Sequence, residues 1–135
     1  MGRVFFGTRK NVVNVDAAKT LIPSDSGSVF NINQASAYEI TLPLMSTIET
    51  GWNATFVIGT VAANAVTIAN NTAEDSIVGG ISGADGGTAT HAETAVDEIV
   101  FINGAVLGDT CHVLYNGANY CVTGYAADVA HITVS

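Results

Sequence analysis

The residues able to do chemistry are few: two cysteines (Cys111, Cys121), three histidines (His91, His112, His131) and twelve carboxylates in 135 residues. Zinc sites bring two ligands within two to four residues of each other. Nine residues separate Cys111 from Cys121, and no histidine stands beside either in a known ligand spacing. No Gly-x-Ser-x-Gly elbow is present to expose a nucleophile. The acidic pairs Glu74-Asp75 and Asp97-Glu98 are sequence neighbours, and neighbours on a strand face opposite ways, so neither makes a natural acid/base couple. The glycine-rich run from Gly79 to Gly87 approximates a calcium-binding Gly-Asp repeat, but it occurs once and with an extra residue. It has no following Lys-Ser/Thr to cradle phosphate. These patterns predict no catalytic residue, no metal, no cofactor and no enzyme. Trp52, with Tyr38, Tyr115, Tyr120 and Tyr125, has the chemistry of a sugar-stacking platform, but their alternating positions suit a core better.

The elements that must position these groups centre on residues 97–125. Ile99-Val100-Phe101-Ile102 is an unbroken apolar run, expected as a strand covered on both faces. Asn116-Gly117 between two apolar runs is a strong hairpin signal. With an even-numbered loop, one face carries Cys111, Val113, Tyr115, Tyr120, Val122 and Gly124 and points inward. The other carries His112, Leu114, Cys121, Thr123 and Tyr125. Cys111 and Cys121 then diverge, which predicts free thiols. His112, Leu114 and Tyr125 make a mixed face suited to contact.

Elsewhere Tyr38, Ile40 and Leu42 alternate with polar residues, as do Trp52, Ala54, Phe56 and Ile58, the period of half-buried strands. Shorter strands are expected near Lys19–Ile22, Val29–Ile32, Ala65–Ala69, Glu74–Ile81 and His131–Val134. Leu44 to Thr50 is the one helical turn, and 79–90 reads as a mobile loop. Eight to ten short strands with frequent turns predict an all-β chain, an antiparallel β-sandwich or jelly-roll-like barrel.

Charged residues are only 12% of the chain, about half of the usual ~25%. So little charge predicts that part of the surface is hidden in a subunit interface. The net charge of −8 divides unevenly. Arg3, Arg9, Lys10 and Lys19 are its only Lys and Arg, and from Thr20 onward there are eleven acids and no Lys or Arg. Residues 1–19 are therefore expected as an extended basic arm, ahead of a single β-sandwich domain at 20–135. An acidic body argues against a nucleic-acid partner. The arm suits docking on an acidic protein surface. No apolar stretch is long enough to span a bilayer and no secretory signal is apparent, which predicts a product made in the cytoplasm with no membrane partner.

The whole-chain pattern resembles the capsid decoration (cement) proteins of tailed bacteriophages, the cyanophage-like ones in particular. The residues that carry the likeness include Asp25-Ser26-Gly27 before Val29-Phe30, and Tyr38-Glu39-Ile40-Thr41-Leu42-Pro43. They continue with Gly51 before Phe56-Val57-Ile58, Thr67-Ile68, Ile77 with Gly79-Gly80, Gly108-Asp109, and Tyr115-Asn116-Gly117 before Tyr120, Val122 and Gly124. The resemblance implies a non-catalytic homotrimer on the capsid surface that clamps the major capsid protein, assembled in the host cytoplasm. In such proteins a terminal arm reaches the shell, a role that Arg3, Arg9, Lys10 and Lys19 would fill. Similar modules serve in phage tail fibres and baseplates, and a carbohydrate-binding module is the alternative from another class.

Overall fold

The computed structural model describes residues 9–61, 63–72 and 75–135. Twelve strands follow in chain order: β1 (Val12–Val15), β2 (Lys19–Thr20), β3 (Ser28–Asn33), β4 (Tyr38–Thr41), β5 (Asn53–Thr60) and β6 (Val66–Ala69). Next come β7 (Ile77–Gly83), β8 (Thr90–Val96), β9 (Glu98–Phe101), β10 (Thr110–Tyr115), β11 (Tyr120–Ala126) and β12 (Ile132–Val134). They form a seven-stranded sheet, β1-β3-β5-β10-β11-β7-β8, and a five-stranded sheet, β12-β9-β6-β4-β2. The two pack together as an all-β sandwich, as the strand periodicity predicts.

Within that sandwich the expected antiparallel pairing holds for only half of the ladders. β10 pairs antiparallel with β5 and β11, but β1-β3-β5, β2-β4-β6 and β7-β11 are parallel. The first six strands alternate between the sheets. Each parallel connection among them therefore passes through a strand of the opposite sheet rather than through a helix. Parallel pairing needs a long crossover, usually helical, so without a helix the sequence carries no sign of it. The successive turns of this winding differ in length, which leaves no sequence repeat.

The alternation of apolar residues builds the core. Phe30, Ile32, Ala54, Phe56, Ile58, Cys111, Val113, Tyr120 and Val122 line the seven-stranded sheet, against Ile40, Val66, Ile68, Ile99, Phe101 and Ile132 of the other. Phe30 and Phe56 stack with ring centroids 5.4 Å apart. The hairpin register is the predicted one, with Tyr115 opposite Tyr120, Val113 opposite Val122 and Cys111 opposite Gly124. Asn116 closes the four-residue loop by accepting from Ala118 N and Asn119 N, and Gly117 takes φ +99°. The run at 99–102 is only half enclosed: Ile99 and Phe101 are buried, Val100 and Ile102 partly so.

Three polar ties join the sheets. Tyr38 Oη donates to Val15 O (2.7 Å), and burial pushes its phenol up to about 12. Tyr120 Oη donates to Pro43 O at 2.5 Å, and Gln34 Nε2 to Ile102 O at 2.8 Å. A phenol that must stay protonated to donate fits the raised value.

Residues 12–15 and 19–20 are strands of the sandwich, not an arm ahead of it. Val13 and Val15 turn toward the core while β1 and β2 close the sheets as edges. The helical turn expected at Leu44–Thr50 is a short 3-10 turn at Met45–Thr47, and two more 3-10 turns lie at Pro23–Asp25 and Val129–His131. The expected loop at 79–90 is half strand, since β7 runs to Gly83 and β8 begins at Thr90, which leaves the loop at 84–89. Glycine is required there by close approach rather than for mobility. A Cβ on Gly79 (φ +111°) would strike Val122 O, and one on Gly80 would strike Thr90 O.

Candidate docking surface

Six of the seven strands in the larger sheet (β1, β3, β5, β7, β10 and β11) contain no Asp, Glu, Lys or Arg. Register sets what their outer face presents. One row across the strands is Val12–Val29–Thr55–His112–Thr123–Gly80–His91. A second is Asn14–Asn31–Val57–Thr110–Tyr125–Ser82. A third is Asn53–Leu114–Cys121–Val78. An outer sheet face with one side in water normally carries charge to oppose edge and face association. This one presents Asn, Thr, Val, Leu and Tyr.

Hydrogen bonds hold the polar members in place. Asn31 Nδ2 donates to Asn14 Oδ1 (2.9 Å), and Thr110 Oγ1 to Phe56 O (3.0 Å). His112 Nδ1 and Thr55 Oγ1 share a hydrogen bond of 2.9 Å. Burial, and secondarily the Lys10 ammonium, lower the His112 pKa from its ordinary value. Imidazole in the middle of this face is thereby held neutral at pH 7.

Relief on the face comes from residue size. Leu114 and Tyr125 stand out, at 39% and 54% exposed. Beside them a groove of about 620 Å³ runs over Gly79 and Gly80 between His91–Glu93 of β8 and Cys121–Thr123 of β11. Among the described residues the seven strands of this sheet carry one charged side chain, Glu93. Glu93 lies on β8, and Lys10, whose charge reaches His112, precedes β1.

The basic residues proposed from sequence are not gathered together. Arg3 lies outside the described residues, and Arg9 and Lys10 are exposed ahead of β1. Lys19 belongs to the opposite sheet. It pairs with Ile40 in the inward row Lys19–Ile40–Ile68–Ile99 and is half-buried. A two-residue edge strand with an inward-turned lysine blunts further pairing there, which is a structural role.

Both cysteines are free thiols; Cys111 is buried, which pushes its thiol well up, and Cys121 is on the outer face accepting from Asn116 Nδ2 at 3.2 Å. Among the described residues no three His, Cys, Asp or Glu side chains are placed to hold a metal. Trp52 and Tyr120 are 4% and 1% exposed and pack edge to face in the core, Tyr38 and Tyr115 are half-buried, and Tyr125 stands apart on the outer face, so the five rings do not form one platform.

Two pairings leave no mark in the sequence. Buried Asp109 accepts from Val106 N, Ala127 N and, at 2.7 Å, is bonded to His131 Nδ1. It staples the β9–β10 loop to the β11–β12 loop, and three partners for one buried carboxylate give it a structural duty. Asp75 is bonded to Asp97 on the surface, which raises the Asp75 pKa. Nothing local links residues this far apart in the chain.

No protein-family model matches this chain, and no curated protein sequence matches it. No helix among the described residues is long and apolar enough to cross a membrane.

Proposed function

We propose that this chain is a structural virion protein, a capsid decoration protein that works by contact and carries out no catalysis. The observation that supports it best is the uncharged outer face of the larger sheet, set in a chain of net charge −8. A face of this composition is suited to lie against protein. The core of a contact is depleted in charge while its rim keeps some. On this reading the chain self-associates, as the likeness to trimeric cement proteins implies, and caps subunits of the major capsid protein. Positive charge ahead of β1 orients it toward an acidic surface and speeds encounter more than it tightens binding. Arg3, Arg9 and Lys10 belong to this role; Lys19, in its inward row, does not.

The test is to incubate the purified chain with capsid shells that lack it and to image the particles. The proposal expects density for the chain at regular positions on the shell exterior, and shells that resist heat or dilution better than bare ones. Chain that stays in solution, or that binds only at a tail, contradicts it.

A further inference from the structure

We infer that the outer face of the seven-stranded sheet is where copies of this chain join, the Lys10 side of one copy lying against the Glu93 edge of the next. The inference rests on reading this face as a contact surface; it does not depend on a capsid.

Four observations select a second copy as the occupant. The first is repulsion. With net charge −8, two copies approach at the lowest electrostatic cost through the face whose six strands carry no acid. The second is charge complementarity at the margins. Lys10 comes just before β1, the strand at one edge of the sheet, and Glu93 lies on β8, the strand at the other. A symmetry axis along the strands, closing either a pair or a ring, brings those opposite sides together.

The third is shape. Leu114 projects from β10, the middle strand of the seven, so in a pair this axis sets it against the same residue of the second copy, an apolar contact at the centre of the face. The fourth is area. Six strands about 4.8 Å apart and roughly 17 Å long give a flat patch of about 500 Å². With side-chain relief added, that approaches the ~800 Å² per partner of a standard interface. Neutral His112 adds no charge to it.

Sedimentation equilibrium of the full chain at pH 7.5, from roughly 1 to 100 μM, tests this. Wild type is expected to show a closed oligomer. Thr123→Arg and Leu114→Arg, at exposed positions, are expected to weaken association on the order of 100-fold or more while leaving the β-sheet circular dichroism unchanged. Glu93→Lys and Lys10→Glu should each weaken it less, and combining them should restore it. A wild-type monomer throughout, arginine variants that keep the oligomer mass, or a double swap no better than its singles would overturn the inference. Shell binding assayed on the same samples separates the two proposals, because intact self-association without shell binding sinks only the capsid reading.

Discussion

Across the five-stranded sheet the outward rows are Thr20–Thr41–Ala69–Glu98 and Glu39–Thr67–Val100–Thr133, each with a carboxylate. The corresponding rows of the seven-stranded sheet carry none across six strands. The inner faces do not differ in this way, since both are Ile, Val and Phe at alternating positions. The same alternation that buries one face therefore leaves the other free to be set by what it meets. Glu39 and Glu98 suit a face that meets water. His112, Leu114 and Thr123 suit one that meets protein, as proposed for the larger sheet.

If the inner faces are equivalent, truncating either should do similar damage. Phe56→Ala in the larger sheet and Phe101→Ala in the smaller should each cost about 3–5 kcal/mol in denaturant unfolding, the usual loss for a fully buried phenylalanine. A much smaller loss on one side would mean that one sheet is only loosely packed. Asp109→Ala should cost somewhat less, about 2–4 kcal/mol, by leaving two backbone N–H groups and His131 without their acceptor. The loss should appear as faster hydrogen exchange in both stapled loops, 105–109 and 127–131.

The outer faces should respond differently to acid. Because the folded state favours neutral His112, the unfolded chain takes up this proton first as pH falls. Its contribution to stability is present above the ordinary histidine value of 6.5 and is lost as pH drops through the lower folded value. Association should weaken over the same window, since a cation then appears within an uncharged contact. His112→Gln should flatten both dependences, and an NMR titration showing His112 protonating above 6.5 would refute a neutral imidazole in this face. The smallest effect is expected from Glu39→Gln or Glu98→Gln on the other sheet: within about 0.5 kcal/mol in unfolding, and no change in oligomer mass.

Some of this is legible in the sequence for definite reasons. Asn116-Gly117 marks the hairpin, and an even loop decides which of Cys111 and Cys121 faces in. The alternation at Trp52–Ile58 marks β5 and its buried side. Parallel pairing is hidden because the crossovers are strands, and the glycines of β7 read as a loop because a tight approach by Val122 and Thr90 leaves no local mark. Lys19 reads as part of an arm, and only its pairing with Ile40 places it in an inward row. Asp109 and His131 stand too far apart in the chain to suggest each other. The proposed contact face is half visible: His112, Leu114 and Tyr125 share a side of the hairpin, but sequence alone does not place the uncharged flanking strands beside it.

The most direct measurement is the alkylation rate of the Cys121 thiol, which lies within the proposed contact, as the concentration of wild-type chain is raised. If copies join through this face, the rate falls as they associate, and in Thr123→Arg it stays at the dilute value throughout. A Cys121 rate that does not change while sedimentation shows wild type assembling would place the contact on another surface.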